Sequence, residues 1–285
     1  FAGAALWLDL PQVLLKNNIG PIFSQPLGAL IGIPLLSHQL GYLNILPLYA
    51  VLLLVTPLVI MVGLRQPWLM LAVSVALWCA AGQFRLNIPS FPNSGGWFFN
   101  PFSWQLLFVV GLLSGTAMKV GKSFIPFNRA LFALASGFVL LVLFWVRIPA
   151  LGEAGRGVLG ALSKAGAPFY LVWFDKTFLA APRLLHALAL FYTLGHWGIM
   201  RRLAASPLAA PFRLLGRQGL AVFATGTVLS MALQVAKTGR DPEPLFDGLL
   251  LGGGIVLLLA LAWILSATAQ LRRSPLADVQ PASRN

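Results

Sequence analysis

The sequence predicts an all-α, polytopic transmembrane helical bundle with about seven full spans and a partial span at its start. Three observations carry this. Of the 285 residues, 58% are hydrophobic and only 9% are charged, with a mean hydropathy of +0.83, whereas a soluble domain carries about 25% charged residues. Stretches free of Lys, Arg, Asp and Glu recur at 45–64, 66–84, 86–118, 130–146, 184–200, 218–236 and 248–271, and a membrane span needs roughly 20 mostly apolar residues. The basic residues between these stretches also fall unevenly on alternate connections, the pattern that orients helical membrane proteins.

In chain order, "FAGAALWLDL" at the start reads as the end of an interrupted apolar helix, with further residues and spans expected before Phe1. A weakly amphipathic outer segment with Lys16, Asn17, Asn18 and His38 follows. The stretch 45–64 contains Pro47 and Pro57, which a membrane helix tolerates when other groups satisfy the freed carbonyls. The stretch 66–84 holds Cys79, the single cysteine. It allows no internal disulfide and reads as a packing thiol. Within 86–118, "NIPSFPNSGGWFFNPF" is loop-like, so the span starts near Trp104. The connection from Arg147 to Pro182 is the longest. "GEAGRGVLGALSKAG" has too many glycines for a span, and the aromatic "APFYLVWF" suits a membrane–water boundary, so the segment is expected to be re-entrant or surface-lying. No repeat of fixed period is visible. One transmembrane domain over 1–271 and a disordered tail over 272–285 are expected, the latter from its Pro, Ser and charge content.

The formal charge of +13 raises nucleic acid as a partner, but a nucleic-acid footprint gathers Lys and Arg on one solvated face, and here they occupy short loops. No nucleic acid is expected. One set of connections receives Arg65; Lys119, Lys122 and Arg129; Arg201, Arg202, Arg213 and Arg217; and Arg272, Arg273 and Arg284. The other receives Arg85, the segment 147–183, Lys237 and Arg240, together with Glu153, Asp175, Asp241, Glu243 and Asp247. The first set and the C-terminus are placed in the cytoplasm and the second outside.

Four polar constellations stand out. In "DKTFLAAPRLLHALALFY", Pro182 suits the first turn of a helix, and Arg183 and His186, three apart, share a face to which Thr193 and Trp197 return. Ionisable residues at membrane depth are site candidates by default; the alternative is an Arg183 that reaches for the surface and a His186 with one structural hydrogen bond. Asp175 and Lys176 read as a solvated loop or as part of the same site. In "LNILPLYAV", Asn44 and Tyr49 either line a polar cavity or serve the helix, with capping favoured for Asn44. In "SGGWFFNPFSWQLLF", Trp97, Phe98, Phe99 and Trp104 form either a sugar-stacking platform, with Asn100 and Gln105 as hydrogen-bond partners, or an interfacial belt. In "LLGRQGLAVFATG", Arg217 either contacts a phosphate or obeys the positive-inside pattern. No P-loop, H-E-x-x-H or G-x-S-x-G motif occurs, and no cluster has metal-ligand spacing.

Taken together, "LNILPLY", "GWFFNPFSWQLLF", "DKTFLAAPRLLHALALFY" and "LGRQGLAVF" resemble the OpgC family, from about Leu43 to Ala269. The resemblance implies a protein of the inner membrane of Gram-negative bacteria that transfers succinyl, or a similar acyl group, from an acyl-CoA such as succinyl-CoA to hydroxyls of a periplasmic glucan. Acyl-CoA is then a co-substrate, with no bound cofactor and no metal. His186 and Arg183 are implied at the reaction centre, with Asp175, Lys176, Asn44, Tyr49, Trp97, Asn100, Trp104 and Gln105 toward the glucan and Arg217 on the acyl-donor side. The family's first span carries an Arg-Gly pair and a downstream His; nothing before Leu43 matches it, which implies an N-terminally truncated member. Gly219 stands where the family pattern has Ser. The competing class is a non-catalytic polytopic protein, such as a transporter component or an inactive family member.

Overall fold

The computed structural model describes residues 18–237, 241 and 243–273; the expected partial span at the start and the expected tail after Arg273 lie outside the described residues. All regular elements are helical, and among the described residues the one β-type contact is the isolated bridge Pro89–Gly96. The chain divides into two compact units, one covering Asn18–Gly198 and the other running from Ile199 onward.

In the first unit, α1 (Gly20–Ser24) and α2 (Pro26–Gly32) are short. A 3-10 turn at Gly41–Leu43 leads into α3 (Ile45–Arg65). Pro47 falls in its first turn, where an N–H has no acceptor in the helix. A single residue, Gln66, separates α3 from α4 (Pro67–Gln83). Then come α5 (Pro101–Lys119), α6 (Arg129–Arg147), α7 (Pro149–Lys164), the single turn α8 (Phe169–Val172) and α9 (Ala181–His196). The second unit holds most of α10 (Gly198–Ala205), a 3-10 turn, α11 (Ala210–Arg217), α12 (Gly219–Lys237) and α13 (Pro244–Arg273).

Among the described residues, five helices are long and apolar enough to cross a membrane: α3, α5, α6, α12 and the Pro244–Ala269 part of α13. The sequence predicted about seven. The other two, α4 and α9, have 17 and 16 residues, roughly 24–26 Å at 1.5 Å per residue, short of the roughly 30 Å hydrocarbon core. Their lengths are set locally. Pro67 opens α4 directly behind α3, and Gly82-Gln83 end it; α9 stops where Trp197 turns extended, with φ −76° and ψ 111°. The glycine-rich stretch, expected to be too rich in glycine for a span and to lie in a re-entrant or surface-lying segment, is the helix α7. Its glycines let it lie against α6: a Cβ on Gly155 would collide with the Trp145 ring.

Inside the first unit, α3, α4 and α5 pack together and α9 packs along α6. Trp78, Leu106, Tyr170, Leu179 and Leu184 form a buried cluster that joins the two groups, with Cys79 packed against its edge. A second cluster, Val59, Val109 and Leu113, lies between α3 and α5. The register shows that α9 runs the length of α6. Its start meets the 165–180 connection, while near its end the Tyr192 hydroxyl donates to Pro126 O at 3.0 Å and accepts from Asn128 N at 2.9 Å, beside the α5–α6 connection.

Candidate functional site

The α4–α5 connection (84–100) and the segment 165–180 meet at one end of the first unit. Asn100 is the central fastener. It caps α5, accepting from Phe102 N at 3.0 Å, and its Nδ2 donates to Leu86 O at 2.6 Å. Its backbone N–H reaches Thr177 O at 3.3 Å. The side chain is fully buried. Trp104 Nε1 donates to Lys176 O at 2.9 Å, and Trp78 Nε1 donates to Leu179 O at 3.1 Å. Tyr170 closes onto α4 at Gly82, where an added Cβ would lie 2.5 Å from the ring; only a residue without a side chain permits that approach.

The 173–180 loop is held from within as well. Asp175 Oδ1 accepts from Phe178 N at 2.8 Å, and Arg183 Nε donates to Phe174 O at 2.8 Å. Arg183 therefore ties the loop to the first turn of α9 and keeps its other N–H donors. One turn on, His186 faces α6, with its ring 6.5 Å from that of Phe138. Its Nδ1 is buried without a hydrogen-bond partner among the described residues. Thr193, also toward α6, lies 3.4 Å from Ser136 Oγ. The polar stripe predicted for this helix thus meets α6 at His186 and Thr193, whereas Arg183 turns to the loop.

The structure brings Asn100, Trp104, Asp175, Lys176 and Arg183 together at this end, with His186 one turn below. Gln105 is engaged between helices: it accepts from Ser74 Oγ at 2.6 Å and donates to Ser74 O at 2.8 Å. Trp97 is 3% exposed, so it forms neither an interfacial belt nor an open stacking face, and its Nε1 is buried without a partner among the described residues. Phe98, Phe99 and Trp104 continue the aromatic series edge to face at 4.9 Å per step, and Phe98 is exposed. Asn44 occupies the capping position of α3 but makes no capping hydrogen bond, contrary to the favoured expectation. Its backbone is already helical (φ −62°, ψ −12°) because the 3-10 turn leads straight into α3, whereas a capping residue is normally extended. Tyr49 is exposed on the same helix. Arg217 belongs to the second unit, in a groove between α11 and α13.

Two residues outside the predicted set stand out. Arg85, at φ 52°, takes a left-handed backbone that non-glycine residues seldom adopt, and its guanidinium lies 4.1 Å from the Phe169 ring centroid. Its sequence signal was an unbalanced cation closing a span. His38 is 3% exposed, and neither ring nitrogen has a hydrogen-bond partner among the described residues. Burial holds its pKa below the usual 6.5, with the Asn18 backbone acting in the opposite sense. Around it, Asn18, Ser37, Gln39, Ser90 and Asn93 stitch the 18–41 segment to the loop after α4. Among the described residues, no group of three or more His, Cys, Asp or Glu gathers where a metal could sit.

Fold and site together define a multi-span helical membrane protein whose polar equipment collects at one end of a helix bundle. The family model for OpgC protein matches residues 1–270, and the chain belongs to the OpgC family. No curated protein and no solved structure matches it.

Proposed function

We propose that this protein is a membrane-bound O-acyltransferase of the bacterial inner membrane, moving succinyl or a similar acyl group from an acyl-CoA at the cytoplasmic face to a hydroxyl of a periplasmic glucan. Membership of the OpgC family supports the class. The observation that carries the residue-level reading is the unpartnered, buried Nδ1 of His186, one turn below Arg183. Buried polar groups are hydrogen-bonded as a rule, and an exception calls for a role.

In this reading seven helices cross the bilayer, α4 and α9 among them, and the end bearing Asn100 and Arg183 faces the periplasm. The alternation of basic loops supports that orientation. With the thioester brought through the bundle from the cytoplasmic face, the glucan hydroxyl attacks its carbonyl as His186 takes the proton; collapse of the tetrahedral adduct expels the thiolate, which takes that proton back from His186 and leaves as the free thiol of coenzyme A. Arg183 and Lys176 stabilise the oxyanion and the carboxylate of the transferred group. Phe98 and Trp104, with Tyr49 and Asn44 on α3, face the glucan.

His186→Gln in the complete protein tests this, because Gln retains hydrogen bonding but is no base at neutral pH. Glucans from cells carrying the variant are assayed for attached succinate, with protein abundance measured in the membrane fraction. Loss of succinylation at normal abundance is expected. Normal succinylation at normal abundance would make His186 structural.

A further inference from the structure

The groove between α11 and α13 encloses about 680 Å³ and has two unlike sides. One wall carries Arg213 and Arg217 on α11. The floor is Val256, Ala260 and Trp263 on α13, about 10 Å of helix at 1.5 Å per residue, and it lies inside the segment long and apolar enough to span. Ala210, Pro211 and Leu214 share the arginine wall, so two guanidiniums stand in an otherwise apolar lining, which suits an occupant with one anionic end and an apolar body.

We propose that this groove binds an anionic glycerophospholipid, its phosphate on Arg217 and Arg213 and one acyl chain laid along α13. Charge complementarity selects the headgroup. From residue 198 to 237 the chain contains Arg201, Arg202, Arg213, Arg217 and Lys237 and no Asp or Glu. Lys237 pairs with Asp247 at the opposite end of the α12–α13 hairpin, while Gln218 meets Ser266 at the arginine end. The Arg213 guanidinium is fixed in advance: one terminal nitrogen donates to both Ala204 O and Ser206 O at 2.7 Å. The Arg217 guanidinium makes no hydrogen bond or ion pair to any described residue, so its planar fork remains open to phosphate oxygens.

The apolar surroundings select a lipid over a free anion. No residue of α11 is buried, and Phe212 and Leu208 are exposed at 73% and 85%. A basic amphipathic helix with an uncovered apolar face lies in the membrane interface, and basic pockets beside membrane helices recognise lipid headgroups. Arg217, expected from the resemblance on the acyl-donor side, is better accounted for as a lipid contact. The proposal stands independently of the acyl-transfer reading.

The full chain in detergent is titrated with dioctanoyl phosphatidylglycerol, dioctanoyl phosphatidylcholine, inorganic phosphate and coenzyme A, and binding is followed by ligand-dependent thermal shift. Phosphatidylglycerol is expected to bind saturably and the other three weakly. Arg217→Gln should weaken it about tenfold or more, the loss of a hydrogen-bonded charge contact. Ala260→Trp, which fills the floor and leaves every charge in place, should do the same, while Arg129→Gln in the other unit should have no effect. Equal affinity for phosphatidylcholine, undiminished binding in Ala260→Trp, or displacement of the lipid by coenzyme A or phosphate would overturn the proposal. If Arg217→Gln does not fold, Ala260→Trp and the competition arms decide alone.

Discussion

Replacing Asn100 by Ala separates a fastener from a ligand. The sequence offered Asn100 as a hydrogen-bond partner for a sugar, but in the structure both ends of its amide are already engaged. Oδ1 caps α5 through Phe102 N and Nδ2 satisfies Leu86 O, with the side chain fully buried. Loss of an N-cap costs about 1 kcal/mol. Leu86 is exposed, so its carbonyl can turn to water and the lost hydrogen bond adds about 0.5–1.5 kcal/mol; Asn100→Ala should therefore destabilise the first unit by about 1.5–2.5 kcal/mol. Asn100→Asp sharpens the comparison: it keeps the acceptor for Phe102 N but turns an acceptor toward Leu86 O, adding repulsion and a buried charge. Asp should therefore be no better than Ala, although it is a good cap on an exposed helix. Thermal unfolding of the purified protein in detergent reads the effect. A wild-type melting temperature for Asn100→Ala, with glucan binding lost, would refute the reasoning and return Asn100 to the ligand.

Three further outcomes are expected. In a Cys79→Ala background, a membrane-impermeant maleimide should label Lys164→Cys but not Lys122→Cys in intact cells; the opposite pattern would invert the orientation. Gly82→Val should push Tyr170 away from α4 at a cost of about 1–3 kcal/mol and speed proteolysis within 165–180, and an unchanged digestion pattern would show that the contact is dispensable. His38 is held below its ordinary pKa by burial, so the unfolded chain takes up its proton first as the pH falls. Its contribution to stability is full above about 6.5 and declines below that value toward the folded pKa. His38→Leu should flatten that part of the melting-temperature profile against pH, and identical profiles for the two proteins would remove His38 as the cause.

Much of the helical framework was legible because the solvent writes it into composition: a span must be apolar along its length whatever it packs against. The limits of that legibility are visible at α4 and α9, where absence of charge marked the stretch but Pro67, Gly82 and the extended Trp197 set the helix length. Glycines in α7 argued against a span and concealed a helix whose glycines serve contact with Trp145. At the site, sequence spacing put Arg183 and His186 on one face, but it contained nothing about the partners. That Arg183 would bind Phe174 O, or that Asn100 would join Leu86 and Thr177, depends on contacts across as many as 77 positions, which periodicity does not encode.

These engaged and unengaged groups give the site its logic. Asn100, Gln105, Asp175 and the indole N–H of Trp104 all have partners inside the protein, so their loss should act through stability and loop position. Among the described residues, His186 Nδ1 and the Lys176 ammonium have no hydrogen-bond or ion-pair partner, and Arg183 keeps donors beyond the one given to Phe174 O. A loop fixed on both sides, by Asn100 and Trp104 from α5 and by Arg183 from α9, holds those free groups in place before substrate arrives, which is how a bundle end contributes orientation to a transfer reaction. The two classes separate by measurement. A fastener variant should lower the melting temperature and change KM and kcat together, whereas a variant at His186 should lower kcat at an unchanged melting temperature. A His186→Gln protein that melts early would place His186 among the fasteners, leaving Arg183 and Lys176 as an anion-binding pair without a base.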